Sequence, residues 1–479
     1  MSVQIFLQGK LLGIDEFVLA PAAGDEERVF AGRSQWIALL SEVLPRALLA
    51  ELGLARILIG ASGGGQFLVV LPEEARAQAE EFLTGAAAGV ARLSGSHVRL
   101  VWSITENLGD WSVVRRRLFD GLERKKASPV AISGGETFAG FAGLDQPADD
   151  YFGGELGVQL RDASSAGWSP DAPATIYTRA AKHTWSLGDS IDGLSLARHT
   201  APSDDGARPA SRQTLASRAS GRAIWGVLRG DVDNFGIRLR RAQTIEEHIQ
   251  LSVMLKQFFA GELEVLCSMG DYWRKVTILY SGGDDFAVYG AWDALIPLAR
   301  EIQRLFNRLS EEGMKDFAGR EGKTVTMAMS LAPDPDASLA EVYEETGAKL
   351  EVAKSTDKDC FALLGRFLEW KQLADAAELR DELTRMITEF GCEPQYLRDL
   401  CGLYRETYWA RRGRDAESPA ARPWRFHRRL NRILSAARGR DVQKARASLI
   451  ADLAGRNTAN LKLRPSGRVA LEWARLSTE

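Results

Sequence analysis

Apolar and polar positions change their spacing several times along the chain, and the pattern is clearest in the second half. Ala223 to Leu228 is a short apolar run, which predicts a buried strand. Thr244 opens a helical stretch with Glu246 and Glu247 near its start and apolar positions continuing to Leu266. Lys275 to Tyr280 predicts a strand, Ser281 to Asp285 a glycine turn, and Phe286 to Tyr289 a second strand. Leu295 to Leu309 has helical spacing, Thr324 to Leu331 predicts a strand, and Leu339 to Lys354 a helix. The order is β-α-β-β-α-β, the ferredoxin-like arrangement. After Trp370 the pattern is helical to about Gly455. Two stretches offer little to bury. Ala201 to Gly221 is small and polar and predicts a linker or flexible loop, and Ser133 to Asp150 is glycine-rich.

The N-terminal segment repeats this unit. Ser62-Gly63-Gly64-Gly65-Gln66-Phe67 aligns with Ser281-Gly282-Gly283-Asp284-Asp285-Phe286. Lys10 precedes its serine by 52 residues and Asp231 precedes the other by 50. Each copy continues through a helix, a strand and a helix, the last ending near Leu122-Glu123 or Leu350-Glu351 and then lysine. The acidic positions of the second copy are missing from the first. Lys10 stands for Asp231, and Gly65-Gln66 for Asp284-Asp285. One copy therefore has the residues for chemistry and the other those of a binding partner.

Composition narrows the chemistry. The 479 residues suggest about three domains. Four scattered cysteines form no C-x-x-C pair, which excludes a zinc ribbon of the usual spacing and fits a reducing cytoplasm. Among five histidines there is no His-Asp dipeptide and no H-E-x-x-H, which makes histidine-built metallohydrolases poor candidates. No apolar run approaches a membrane span, and the N-terminus lacks a signal-peptide pattern. The net charge of −3 hides an excess of +9 over residues 401–450 against −12 elsewhere.

What is left is carboxylate chemistry. Asp231 follows a buried strand and Asp284 sits in the hairpin turn of a strand that a ferredoxin-like sheet places beside it, and hard oxygen ligands suit Mg²⁺ or Mn²⁺. Two such ions can activate a sugar hydroxyl and neutralise a leaving pyrophosphate. Gly282 and Gly283 allow close backbone approach, and the turn Asp233-Asn234-Phe235-Gly236 can offer amide N–H groups to a triphosphate. Lys354 is either a phosphate contact or a solvated helix end. Asp233 either binds metal or caps its turn. His248 reads as a packing or surface histidine.

The motifs Leu228-Arg229-Gly230-Asp231-Val232-Asp233-Asn234-Phe235-Gly236, Ser281 to Phe286, and Ala353-Lys354 with Lys358 and Phe361 resemble the large subunit of type III CRISPR effector complexes. Gly13 to Phe17, Gly32-Arg33-Ser34 with Leu39 to Glu42, and Ser62 to Gly65 resemble that family's inactive first palm. Leu363 to Trp370 favours the Csm-type branch. The resemblance implies an α+β chain of four parts: a first palm over residues 1–127, and a reduced linker domain without zinc over 128–220 that ends in a flexible loop; then a catalytic palm over 221–370 and a basic helical domain over 371–479. It implies a synthase joining ATP 3′–5′ into cyclic oligoadenylate when the complex holds target RNA beside its guide RNA and the other effector subunits. Asp231, Asp284 and Asp285 would be catalytic, holding two Mg²⁺ or Mn²⁺ ions together with Val232. Asp233, Asn234, Phe235, Ser281, Gly282, Gly283 and Lys354 would bind ATP, and Gly63, Gly64 and Gly65 would seat the acceptor. Without a His-Asp pair, DNA cleavage by an HD domain is not expected. Arg411, Arg412, Arg414, Arg425, Arg428 and Arg429, interleaved with aromatics, form either an RNA-facing surface or a solvated helix face. A GGDEF-like dinucleotide cyclase and a catalytically silent scaffold are the competing readings.

Overall fold

The computed structural model describes residues 4–23, 25–127, 146–188, 193–402, 423–433, 440–454 and 465–479. The first palm is built from β1 (Gln4–Leu12), α1 (Ile14–Leu19), α2 (Glu26–Glu51), β2 (Ile59–Gly63), β3 (Gln66–Pro72), α3 (Arg76–Leu93), β4 (Arg99–Glu106) and α4 (Trp111–Ala127). Its sheet runs β2-β3-β1-β4, all antiparallel, which is ferredoxin-like order. Between the palms lie the two-stranded ribbon of β5 (Ser165–Trp168) with β6 (His183–Ser186) and the short helix α5 (Arg212–Ser217).

The second palm repeats the plan with β7 (Trp225–Val232), α6 (Phe235–Arg241), α7 (Ile245–Gln257), β8 (Val276–Ser281), β9 (Asp285–Ala291), α8 (Trp292–Gly313), β10 (Val325–Leu331) and α9 (Leu339–Thr356). Its sheet runs β8-β9-β7-β10 and then gains a hairpin that the apolar pattern did not predict, β11 (Cys360–Leu363) with β12 (Arg366–Glu369). Those strands are four residues each, too short for an alternating signal to stand out. The helical end holds α10 (Trp370–Thr388), α11 (Pro423–Ile433), α12 (Arg440–Ala454) and α13 (Pro465–Thr478). Among the described residues no helix is long and apolar enough to cross a membrane.

Local chemistry sets the element ends. The Thr244 hydroxyl accepts from the Glu247 N–H at 3.2 Å, and the Glu247 carboxylate accepts from the Gln243 N–H at 2.7 Å, which fixes the start of α7. The stripe Leu295, Leu298, Ile302 and Phe306 buries one face of α8. The stretch expected as one helix from Thr244 to Leu266 is instead interrupted: α7 ends at Gln257, a π turn covers Phe258–Glu262, and a last turn covers Leu263–Cys267. The wide turn stacks Phe259 on Phe286, with ring centroids 5.7 Å apart.

Two expectations need correction. Ala201 to Gly221 is no flexible loop. Ala201, Ala210, Leu215 and Ala216 are buried, and Arg212 is clamped by Glu26 (2.9 Å) and Glu27 (2.7 Å) of α2. The adjoining backbone lines the edge of β8, where His199 O accepts from the Ile278 N–H at 2.9 Å. Composition missed this because small residues pack as tightly as large ones when the neighbour supplies the bulk. The linker region is likewise no separate body. Asp149 pairs with Arg33 at 2.7 Å inside the protein, Phe152 packs on Phe17 and Trp36, and the Trp36 indole donates to Ala174 O at 2.8 Å. Removing one partner of such a buried ion pair costs about 3–5 kcal/mol. Of the stretch from Ser133 to Asp150, residues 133–145 lie outside the described residues.

Candidate active site

Strand register superimposes the two copies. In the second palm Asp231 sits opposite Asp285 on β9 and Thr326 on β10; in the first, Lys10 sits opposite Gln66 on β3 and Val101 on β4. The Val232 N–H donates to Asp284 O at 2.9 Å, and its counterpart Leu11 N–H donates to Gly65 O at 2.7 Å. Left-handed Asn234 (φ 58°) before α6 matches left-handed Gly13 (φ 78°) before α1. Position 231 thus lies inside β7, which extends past the predicted Leu228, because β7 is a central strand paired on both sides.

The carboxylates converge as expected. Asp231 forms a 2.9 Å ion pair with Lys354, delivered by the last turn of α9. Burial, only partly offset by Lys354, raises Asp231 to about 6. Asp284 has no salt-bridge partner among the described residues; burial, then Asp285 and Asp231, push it up to about 7. Asp285 accepts from the Tyr280 hydroxyl at 2.8 Å and is also raised, chiefly by burial. Burial lowers Lys354, but its hydrogen bond to Asp231 together with the charges of Asp231, Glu351 and Asp284 leaves it raised. Three carboxylates share the Lys354 ammonium and, at Asp285, the Arg229 guanidinium, an excess of negative charge that a divalent cation would relieve. Among the described residues no three His, Cys, Asp or Glu side chains form a ready-made metal cage. A hard cation with oxygen ligands needs only one or two protein carboxylates when substrate phosphates complete its shell, so these residues fit one.

The glycine turns of the two palms meet. A Cβ on Gly64 would come within 3.1 Å of Gly283 N, and a Cβ on Gly282 within 2.3 Å of Asp285 Oδ1. Beside them opens a cavity of about 230 Å³ between the palms. Ile14, Val18, Ser34 and Ile37 line it from the first palm, and Tyr280, Ser281, Asp285 and Tyr343 from the second. The Ser281 hydroxyl donates to Phe259 O at 2.6 Å, so the π turn anchors the GGDD turn. The Ser34 hydroxyl is buried and lacks a partner among the described residues.

The Asp233 carboxylate, open between metal binding and capping its turn, is used inside the fold. It is 2% exposed, with Oδ1 accepting from the Thr326 hydroxyl (2.7 Å) and Oδ2 from the Thr324 hydroxyl (2.7 Å) and the Asp359 N–H (3.0 Å). It ties β7 to β10 and to the chain entering β11. The Asn234 side chain accepts from Lys358, and Phe235 is buried at the start of α6. Val232 is buried, and its N–H is the group used between the strands. His248 packs edge-on against Trp111. Arg428 and Arg429 are exposed on α11; Arg411, Arg412 and Arg414, and the side chain of Arg425, lie outside the described residues. Sequence reasoning passed over Arg229, Tyr280 and Tyr343. The Arg229 guanidinium stacks 4.0 Å from the Tyr343 ring centre, behind Asp285. The only signal for Tyr280 was adjacency to the glycine turn.

Fold and site define a tandem-palm protein in which one ferredoxin-like unit carries an acidic cluster and its twin does not. Residues 224–362 match the family model for the second palm domain of Cas10/Cmr2. A curated relative from Enterococcus italicus, a CRISPR single-strand-specific deoxyribonuclease Cas10/Csm1 of subtype III-A, is 30% identical over 157 residues, 31% of this chain and 19% of the relative. One of the same description from Thermococcus onnurineus is 20% identical over 446 residues, 76% of this chain. The chain thus spans 19% and 55% of these two relatives' lengths. Among solved structures, the Csm1 chain of an apo Csm1–Csm4 cassette superposes with a TM-score of 0.76 at 17% identity, covering 100% of this chain and 70% of that one. Residues 224–362 thus carry a second palm domain of the Cas10/Cmr2 kind, and the chain as a whole is similar to Cas10/Csm1 proteins of subtype III-A and shares the Csm1 fold.

Proposed function

We propose that this chain joins ATP molecules by 3′–5′ nucleotidyl transfer into cyclic oligoadenylate, within a type III effector complex that is switched on by target RNA paired to its guide. The observation that carries this reading is the cluster of Asp231, Asp284 and Asp285 beside Lys354, of which Asp285 lines the interpalm cavity. Csm1–Csm4 cassettes of the same fold have been solved with cA3, with cA4 and with AMPPNP, which supports the choice of nucleotide.

Asp231, Asp284 and Asp285 would hold two Mg²⁺ or Mn²⁺ ions, which when bound supply hydroxyl activation and neutralise the leaving pyrophosphate. The chain's own residues do the positioning. Tyr280 holds Asp285 in one orientation through its hydroxyl, and Ser281 ties the glycine turn to the π turn. Lys354 is placed to exchange Asp231 for a phosphate oxygen. Ser34 offers a free hydroxyl to the edge of a base in the cavity, with Ile14 and Tyr343 providing apolar surface. Both palms reside in one chain, so no second copy is needed to complete the cleft, in contrast to a GGDEF-like dinucleotide cyclase.

The test is to purify the chain with its co-expressed partner subunits and guide RNA, then add ATP, Mg²⁺ and complementary RNA. Oligoadenylate should form, and Asp284→Ala with Asp285→Ala should lower its rate by about 10³-fold or more. Absence of product from wild type, or equal product from the variant, would sink the reading; preference for GTP would favour a dinucleotide cyclase.

A further inference from the structure

The second palm carries an arginine beneath its acidic corner that the first palm lacks. Arg229 lies two residues before Asp231 on β7, on the same face of the sheet. It is half-buried, makes no direct ion pair among the described residues, and its Nε is buried without a partner. Its guanidinium sits over the Tyr343 ring, 4.0 Å from the centre, and Nη1 donates to Tyr343 O at 3.5 Å. Enclosing a guanidinium without a carboxylate is costly, so the place that receives it has to be built. Gly347 builds it. A Cβ on that residue, inside α9, would come within 2.4 Å of Arg229 Nη1. Glycine weakens a helix interior, and here it opens the slot that the guanidinium fills.

Tyr343 passes the contact towards the acidic cluster. Its ring packs edge-on against Phe30 of α2, with centroids 5.2 Å apart, and meets the Tyr280 ring at 6.4 Å and 64°. The Tyr280 hydroxyl donates to Asp285 Oδ2 at 2.8 Å. One oxygen of Asp285 is therefore held by the protein, while Oδ1 lies beside Gly282. The repeat supplies a control. Strand register puts Gln8 at the place of Arg229 and Ala61 at that of Tyr280. Aligning Leu122 with Leu350 puts Arg115 at the place of Tyr343 and exposed Phe119 at that of Gly347. None of the four residues occurs in the palm without the acidic cluster.

We propose that Arg229 is a positioning residue for the metal-holding carboxylates. Held in the Gly347 slot, it fixes Tyr343 and through it Tyr280, which turns Asp285 so that one oxygen stays with the protein and the other is free for a divalent cation. Tyr280, Tyr343 and Asp285 line the interpalm cavity and Arg229 does not, so it acts from behind the site. The inference rests on the nucleotidyl-transfer reading in one respect, that Asp285 holds a metal ion.

The experiment measures equilibrium binding of Mn²⁺, by electron paramagnetic resonance, to the full chain with its partner subunits. Gly347→Ala keeps the arginine and its charge and is the better helix former, so the variant should melt no lower than wild type. By displacing the guanidinium from Tyr343 it should weaken Mn²⁺ binding about 10-fold. Arg229→Lys, which keeps the charge without the planar stack, should act in the same direction. Tyr280→Phe should cause a similar loss, and adding Gly347→Ala to it should cost less than about 2-fold more, because both changes break one chain of contacts. Wild-type Mn²⁺ affinity in Gly347→Ala, a full second loss in the Tyr280→Phe background, or no Mn²⁺ bound by wild type would each overturn the proposal. Metal binding needs no turnover, so the expected pattern without oligoadenylate made from ATP would count against the synthase reading alone.

Discussion

The two palms share strand order, hydrogen-bond register and even the left-handed residue before their first helix, yet they differ at the acidic positions around the strand ends. Asp231, Asp233, Asp284 and Asp285 in one stand where Lys10, Leu12, Gly65 and Gln66 stand in the other. A backbone scaffold of this kind is held by apolar burial and ladder hydrogen bonds, which tolerate changes at a strand's end. The charges at those ends are set by what binds there. The duplicated unit therefore shows which residues belong to the fold, because both copies keep them, and which belong to the site, because only one does.

Asp233 is the informative exception, since it is polar, unique to the second palm and still structural. Asp233→Ala would leave the hydroxyls of buried Thr326 and of Thr324 without their acceptor, at a cost of about 2–4 kcal/mol. The expected outcome in denaturant unfolding is a lower midpoint for the second palm, whereas Leu12→Ala in the first should act only through lost apolar packing. If Asp233→Ala instead kept full stability and lost ATP affinity, the carboxylate would belong to the site.

The glycine turns give a smaller contrast. Gly64 has φ 57° and abuts Gly283, so Gly64→Ala should cost about 1–2 kcal/mol. Gly283 has no positive φ and open space around its Cβ position, so Gly283→Ala should be nearly neutral for stability. Thermal melts of the two variants under one set of conditions test this. Equal losses would mean the turns are not placed as they are here.

The smallest effect concerns pH. Asp231 and Asp284 have folded-state pKa values of about 6 and about 7, above the unfolded value near 4. The folded chain therefore binds protons more tightly across that window, and stability is lost as the pH rises from about 4 to 7. In EDTA at pH 8, Asp284→Asn should raise the melting temperature by roughly 2–4 °C, as expected for about 1 kcal/mol in a domain of this size. At pH 5 the gain should shrink, and Mg²⁺ should stabilise wild type at pH 8 but not the variant. The first palm, with Lys10 and Gln66 at these places, should show no matching acid-side gain. A pH-independent difference between wild type and variant would remove the electrostatic account.

Much of this was legible in the chain. The β-α-β-β-α-β order, the repeat and its alignment at Ser62 and Ser281 follow from period-two and helical spacing, because each strand or helix must bury one face wherever it sits. The pairing of Asp231 with Asp284 and Asp285 followed from motif spacing plus a known sheet order. Other features were decided only when distant segments met. Arg212 gives Ala201 to Gly221 an anchor 185 residues away on Glu27, which no local composition encodes. Arg33 and Asp149 form their pair across 116 residues, and the fate of the Asp233 carboxylate depends on two threonines on another strand. Local pattern fixes which face of an element is buried, but a polar side chain's role depends on its partner, and partners are chosen by tertiary packing. The sequence by itself therefore determined two related palms, one of them acidic. Only the tertiary structure decided that their glycine turns touch, that a cavity opens between them, and that Lys354 reaches back to pair with Asp231.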